Sequence, residues 1–127
     1  LLFGMSWGSQ PWLLMPIVTC TSLAATGMGL LIATLVRTDS QVSAYANFLV
    51  ITLAGISGCF MPRDWLPEVM QTVSLATPHA WSLIAYHEAL TTQVPDMVAV
   101  AKACGVLTLF ATTLAALGCW KMQSSSD

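Results

Sequence analysis

The segment from Leu53 to Pro67, LAGISGCFMPRDWLP, restricts the fold of this chain more than any other. An apolar stretch ends there in Gly55-Ile56-Ser57-Gly58 and gives way to a charged turn between two prolines. The next residues, Glu68 to Leu90, are interrupted by Pro78 and are too polar to cross a bilayer, although they are amphipathic. This order predicts a membrane-spanning helix followed by a short helical hairpin that lies at one face of the membrane.

The composition supports a membrane setting. Of the 127 residues, 56% are hydrophobic and 8% are charged, whereas an ordinary soluble domain has roughly 25% charged residues. The formal net charge of -2 is small and unclustered, so it gives no indication of nucleic acid or of a polybasic contact with lipid. The length leaves room for one domain, and we expect residues 1–127 to form a single transmembrane domain.

The first residues, Leu1-Leu2-Phe3, include neither an initiator Met nor the cationic start of a signal peptide. We therefore expect the chain to be a piece of a longer protein.

Three segments are long and apolar enough to span a bilayer, at about residues 12–36, 42–61 and 97–120. Each approaches or exceeds the roughly 20 residues that a hydrocarbon core requires. Helices are expected because lipid cannot satisfy the backbone groups of an open sheet edge. The prediction is an all-α, polytopic transmembrane helical domain, with three spanning helices and an amphipathic hairpin over about residues 64–91.

The connections between the spans differ in length. Arg37 to Gln41 form a tight polar turn, which makes the first two spans antiparallel neighbours. The longer connection contains two short helices, opened by Pro67 and by Pro78. Trp65 and Trp81 lie near the starts of these helices, where we expect them at the level of the lipid headgroups.

The charged residues do not decide the orientation. Arg37 and Lys121 lie on one side of the predicted membrane, and Arg63 and Lys102 lie on the other. The Lys and Arg count that sets topology is therefore tied. Lys102 is placed to extend outward toward Asp96, since a long cationic side chain near a helix end reaches for the interface.

An ordered series of motifs resembles a known family. The sequence contains Gly27-x-Gly29 followed by Leu31 to Arg37 and Gln41, then Leu53-x-x-x-Ser57-Gly58-x-Phe60-x-Pro62, then Leu66-Pro67, then Pro78-x-x-Trp81. Together these motifs resemble the C-terminal half of the ABC-2 type permeases, the membrane subunits of ATP-driven exporters. The resemblance covers nearly the whole chain.

The resemblance implies a topology and a set of partners. The three spans become the last three of six, the hairpin lies at the extracytoplasmic face, and Arg37 and Lys121 lie in the cytoplasm. The expected setting is the cell membrane, with a second permease subunit as a homodimer or heterodimer. ATP hydrolysis is expected on a separate ATPase subunit, because this sequence has no G-x-x-x-x-G-K-[ST] loop. The turn with Arg37 and Gln41 is a secondary candidate for contact with that ATPase.

Small residues suggest helix packing and, on the resemblance, a gate. Gly27 and Gly29 form a face where a neighbouring helix can approach closely. The same packing interpretation applies at the end of the second span, where the family also suggests a gate; the residues concerned are Gly55, Ser57, Gly58 and Pro62. Asn47, midway along that span, is expected to form an interhelical hydrogen bond, with a substrate contact as the alternative.

An enzyme is the less favoured interpretation. His79, His87 and Glu88 would suit acid–base chemistry. They lack the paired histidine spacing of a zinc site, and no Gly-x-Ser-x-Gly motif is present. We expect no catalytic residues, no metal site and no cofactor.

The four cysteines are isolated in apolar sequence, without Cys-x-x-Cys spacing. They are expected to be small buried hydrophobic residues. A disulfide among Cys20, Cys59 and Cys104 stays open, since sequence alone does not define a pairing.

The predicted function is the permease component of an ATP-binding cassette exporter, which forms the substrate path in contact with membrane lipid. The alternative is a membrane scaffold or assembly subunit that transports nothing. The residues do not indicate a substrate.

Overall fold

A computed structural model describes residues 8–36 and 38–124 of the chain. These residues form five α-helices and two short 3-10 turns, and no strand occurs among them. The prediction of an all-helical fold is confirmed. The 3-10 turns are Pro11–Leu13 and Arg63–Trp65, and the helices are α1 (Leu14–Leu35), α2 (Asp39–Ser57), α3 (Glu68–Ser74), α4 (Pro78–Thr91) and α5 (Met97–Ser124).

Two helical segments in the described part of the chain are long and apolar enough to cross a membrane. They are Pro11–Leu35, with 25 residues, and Met97–Ser124, with 28 residues. At about 1.5 Å per residue, α5 extends for about 42 Å, which exceeds the roughly 30 Å of a hydrocarbon core. These helices contain the first and third predicted spans.

The second predicted span corresponds to α2, which differs from the prediction at both ends. α2 begins at Asp39, and its first turn is polar. It ends at Ser57 and not near Met61, because Gly58 adopts a left-handed conformation with φ of 87°. The apolar part of α2 is consequently shorter than in α1 and α5. Its role as a third span therefore stays a prediction.

The core of the fold is the parallel pair of α1 and α5, which pack along much of their length. Gly27 lies in this interface, where an added Cβ would lie 2.8 Å from the carbonyl oxygen of Ala111. Further along, a Cβ added at Gly118 would lie 3.0 Å from Cγ of Leu30. Small residues thus let the two backbones approach closely, as is typical of helices in membranes.

α4 packs against the ends of α1 and α5. Ala85 and Ala89 are fully buried, and they form one cluster with Leu13 and Ile17 of the N-terminal segment and with Val100 and Ala103 of α5. The spacing of four residues between the two alanines places them on the same helix face. The second helix of the predicted hairpin is therefore part of the core, and it does not rest only on the surface.

α2 is held more loosely than the other long helices. Ser57 is its one buried residue. Large apolar side chains on α2 are exposed, namely Tyr45, Phe48, Leu49, Val50 and Ile51. Asn47 is also exposed, and its side chain forms no hydrogen bond within the described residues. Among the described residues no helix lies close to the Asn47 face of α2, so the expected interhelical hydrogen bond is not formed there.

The chain between α2 and α4 makes a compact turn. Leu66 is buried beside Gly58, and its Cδ1 would lie 3.1 Å from a Cβ added at that glycine. The short α3 follows. Thr77 then caps α4 by accepting a hydrogen bond from the backbone N–H of Ala80 at 3.4 Å, and Pro78 takes the first position of the helix, where its missing N–H has no cost.

Candidate functional site

A cavity of about 400 Å³ lies between α1, α2 and α4. Most of its wall is apolar, because α1 and α2 contribute alanine, methionine, isoleucine and valine side chains. The lining residues are Thr21, Ala24, Ala25, Met28, Gly29 and Ile32 of α1, Ala46 and Val50 of α2, Cys59 of the following turn, and Pro78, His79, Ser82, Leu83 and Tyr86 of α4. The cavity is large enough for part of a drug-sized apolar molecule.

Polar groups converge on the α4 side of this cavity. Thr21 donates a hydrogen bond to Ser82 at 3.3 Å, and Ser82 donates to the carbonyl oxygen of Pro78 at 3.1 Å. Nδ1 of His79 is buried and has no hydrogen-bond partner among the described residues. Desolvation by burial lowers the pKa of His79 below its ordinary value. The cavity therefore offers a neutral imidazole as a hydrogen-bonding group within an apolar surface.

The glycines singled out from the sequence occupy three different environments. Gly27 is buried against α5, as described above. Gly29 lines the cavity, and nothing lies within 4 Å of an added Cβ. Near Gly55, an added Cβ would meet only Cε2 of Phe60, at an ordinary contact distance of 3.9 Å. Close helix packing is thus seen at Gly27 and not at Gly29.

The end of α2 holds the other residues of the proposed gate. Gly58 is the left-handed residue that ends the helix. The hydroxyl of Ser57 donates to the carbonyl oxygen of Ala54 at 3.1 Å and lies 3.3 Å from Sγ of Cys59. Pro62 lines a second, smaller cavity beside this turn. Ser57 and Gly58 therefore set the direction in which the chain leaves α2.

The four hairpin residues also differ from one another. Trp65 is 78% exposed, and Pro67 is the residue that precedes the first turn of α3. Pro78 is buried at the start of α4. Trp81 is partly buried, and its Nε1 donates to the carbonyl oxygen of Leu75 at 2.8 Å.

Lys102 interacts with Trp81 and not with Asp96. Nζ of Lys102 lies 5.8 Å from the centroid of the Trp81 ring, within the range of a cation–π interaction. Asp96 instead accepts a hydrogen bond from the backbone N–H of Val98 at 2.9 Å, which caps α5. The expected extension of Lys102 toward Asp96 is therefore not observed.

The candidate ATPase-side turn is described in part. Arg37 lies outside the described residues. The backbone N–H of Gln41 donates to Oγ1 of Thr38 at 3.4 Å, an N-terminal cap for α2. This turn lies at the opposite end of α2 from Gly58.

Neither metal nor disulfide chemistry emerges in the described part of the chain. No group of three or more His, Cys, Asp or Glu residues is placed to hold a metal ion there. The four cysteines in those ranges are free thiols, and Cys59 and Cys119 are exposed, contrary to the prediction that they are buried. Cys20 of α1 and Cys104 of α5 are partly buried, and the hydroxyl of Thr108 in α5 donates to Sγ of Cys20 at 3.7 Å.

Sequence reasoning missed most of the cavity wall. Ser82, Leu83 and Tyr86 were not singled out, because their positions on α4 carry no motif. Hydroxyl residues on apolar helices could have indicated part of this wall, because their side chains often form hydrogen bonds between helices. Thr21 and Ser82 form such a pair.

Two comparisons identify the class of protein to which this fold and cavity belong. A family model described as ABC-2 type transporter matches residues 1–91. The chain therefore belongs to the ABC-2 type transporter family, and it is a membrane component of a transporter.

A relative from Bacillus subtilis (strain 168) agrees with this assignment. The linearmycin resistance permease protein LnrN of that organism is 34% identical over 119 residues. The match covers 92% of this chain and 30% of LnrN, so the chain spans about 30% of the length of that relative. No solved structure matches the chain.

Proposed function

We propose that this chain is part of the transmembrane permease of an ATP-binding cassette exporter and forms part of its substrate path. The observation that carries the proposal is the apolar cavity between α1, α2 and α4 in a member of the ABC-2 family. An exporter of apolar compounds needs a cavity in which such a compound leaves the lipid, and the walls described above meet that need.

In the proposed topology α1, α2 and α5 are three spans of a multi-pass protein of the cell membrane, corresponding to the C-terminal half of a permease. The starts of α1 and α5 meet α4 in one cluster of buried residues, so the hairpin lies at that end of the bundle. We propose that this end is extracytoplasmic. The turn around Gln41 is then cytoplasmic.

The energy is proposed to come from a separate ATPase subunit. The sequence contains no phosphate-binding G-x-x-x-x-G-K-[ST] loop. A second permease subunit is the other proposed partner. The exposed apolar side chains of α2, such as Phe48 and Ile51, are consistent with contact to further helices or lipid.

The relative's name suggests a first compound to test. LnrN is named for linearmycin resistance, and we propose that the present protein exports linearmycin or a compound that shares its binding properties. Nδ1 of His79 would supply a directional hydrogen bond to a polar group of that compound, since the surrounding wall is apolar.

A pair of glycine substitutions tests this function. Gly29→Phe fills the cavity, and Gly105→Phe places the same side chain on α5 away from the cavity; neither added Cβ has an atom within 4 Å. In the full-length protein with its ATPase, we expect Gly29→Phe to abolish most linearmycin efflux while Gly105→Phe leaves efflux close to the original level. Equal efflux from both variants would overturn the assignment of the cavity as the path. A complex that forms normally but shows no efflux of any tested compound would favour the scaffold alternative.

A further inference from the structure

The second cavity, of about 330 Å³, differs in character from the first. It lies between the turn that follows α2 and the middle of α4. Three formally charged side chains and one histidine line it, alongside Gly58, Pro62 and two apolar residues of α4; these four are Arg63, Asp64, His87 and Glu88. A pocket with one cation and two carboxylates beside an apolar domain calls for a polar ligand.

Arg63 is fixed in place and has an unused donor. Its Nη2 donates to the carbonyl oxygen of Gln71 at 2.8 Å, and the side chain of Gln71 in turn donates to the carbonyl oxygen of Leu66 at 2.9 Å. Nη1 of Arg63 is buried and has no hydrogen-bond partner among the described residues. A buried guanidinium donor without an acceptor is costly. An acidic oxygen in the pocket would remove that cost.

The two carboxylates of this pocket, Asp64 and Glu88, are not paired with its cation. Within the described ranges, neither Asp64 nor Glu88 forms an ion pair with Arg63. Oε2 of Glu88 accepts only long hydrogen bonds, at 3.4 Å from Oγ1 of Thr92 and at 3.5 Å from the backbone N–H of Asp96. These contacts do not neutralise the charge of Glu88. A cationic nitrogen would do so.

The charges of the pocket select a zwitterion. A simple anion would satisfy Arg63 but would meet two carboxylates, and a simple cation would leave Nη1 of Arg63 without an acceptor. A ligand that carries both charges satisfies both sides. A primary ammonium is favoured over a quaternary one, because it has three N–H donors for carboxylate oxygens.

The position of the pocket points to a lipid as the source of this group. Phe60 is 71% exposed and Trp65 is 78% exposed, and they flank Arg63 in the chain. Exposed aromatic side chains beside charged groups are typical of the level of lipid headgroups. The pocket also lies at the end of the bundle where α5 begins.

We propose that this pocket binds the headgroup of an ethanolamine phospholipid, with Arg63 donating to the phosphate and Asp64 and Glu88 accepting from the ammonium. The site is separate from the transport activity proposed above. Lipid retention needs neither an ATPase nor flux, so failure of this proposal leaves the permease assignment unaffected.

Native mass spectrometry of the full-length protein tests the site. The protein is equilibrated with equal amounts of phosphatidylethanolamine, phosphatidylcholine and phosphatidylglycerol, and the retained lipids are counted. We expect phosphatidylethanolamine to be retained over the other two. Arg63→Gln should lower its retention by about fivefold, the scale of a charge-assisted hydrogen bond that solvent partly screens. Lys121→Gln removes an exposed cation at the far end of α5 and should change nothing.

Two further measurements test whether the ammonium group is recognised and whether the ligand is a lipid. Glu88→Gln should shift the preference toward phosphatidylglycerol, because it removes the group that holds the ammonium, and this result does not depend on the folding of the Arg63 variant. Soluble phosphoethanolamine at the same concentration should not displace the lipid. The proposal is overturned by equal retention of the three lipids, by an Arg63→Gln protein that matches Lys121→Gln, or by displacement with soluble phosphoethanolamine.

Discussion

Gly58 shows how a single residue sets the path of the chain. Its φ of 87° lies in the left-handed region, and an added Cβ would lie 3.1 Å from Cδ1 of Leu66. Any side chain there meets both backbone strain and a close contact. The left-handed conformation alone costs roughly 1–2 kcal/mol for an ordinary residue.

We expect Gly58→Leu to impair efflux while the protein still inserts into the membrane. The turn after α2 would have to shift, and this turn borders both cavities through Gly58 and Cys59. Gly58→Asn should retain more activity, since asparagine tolerates the left-handed region. Gly55→Ala is the matched control, because its Cβ has an ordinary contact distance of 3.9 Å. Efflux assays of the three variants give the answer, and unchanged flux in Gly58→Leu would contradict this role.

Because His79 is partly buried, we expect the free energy of unfolding to depend on pH. Burial lowers the pKa of His79 in the folded protein below the value of 6.5 for a free side chain. The folded state then binds fewer protons than the unfolded state, so the full stability is present above pH 6.5 and falls as the pH drops toward the lowered pKa. His79→Gln should weaken this fall. Thermal unfolding measured on both sides of pH 6.5 checks the result, with the exposed His87→Gln as the control. Equal pH dependence in both variants and the original protein would contradict it.

At the scale of the helices, the tight pairing of α1 and α5 is the feature on which the fold depends. The Cβ of a residue at position 27 would lie 2.8 Å from a backbone oxygen of α5. A backbone atom cannot move aside as a flexible side chain can. The two helices must therefore separate to accept a larger residue.

We expect Gly27→Leu to destabilise the protein by about 1–3 kcal/mol or more, the usual cost of overpacking a core. Gly105→Leu lies on α5 with open space around its Cβ and should have little effect. Unfolding in detergent with increasing denaturant compares the two variants. A Gly27→Leu protein as stable as Gly105→Leu would contradict the packing of α1 on α5.

The sequence predicts the helices better than it predicts their neighbours. Apolar length and the positions of Pro67 and Pro78 indicate where helices begin. The predicted end of the second span near Met61 is wrong, because the left-handed Gly58 ends α2 earlier. The prediction that Gly27 and Gly29 both pack against a neighbouring helix conflicts with the geometry of a helix. Residues two apart on a helix are separated by about 200°, so only one of them can face α5. Which one does so depends on the partner helix, and sequence periodicity does not identify it.

The burial of α4 was unpredictable for the same reason. Ala85 and Ala89 lie on the same face of α4, but a face of small residues can either be exposed or pack closely against another helix. Their burial follows from the arrangement of α1 and α5. The cavity beside α4 is likewise a property of three helices together, and no single segment encodes it.

At the scale of the whole molecule, the proposed topology would place the turn around Gln41 in the cytoplasm and the hairpin outside the cell. Ser40 lies in the first turn of α2, and Gln71 lies in α3, past the other end of α2; a single cysteine at each position tests the topology. We expect a membrane-impermeant thiol reagent to label them from opposite faces of the membrane, after the native exposed Cys59 and Cys119 are replaced by serine. Labelling of both positions from the same face would contradict a membrane-spanning α2.

The proposed function as an ATP-driven exporter depends on one association. It is the binding of the permease to the separate ATPase subunit proposed above. The most direct measurement is purification of the full-length protein from its native membrane in mild detergent, followed by mass spectrometry of the bound proteins. We expect an ATP-binding cassette ATPase subunit in roughly equal amount, because a functional complex pairs permease and ATPase chains. Repeated purification of an intact permease without any such subunit would contradict the proposal of an ATP-driven exporter.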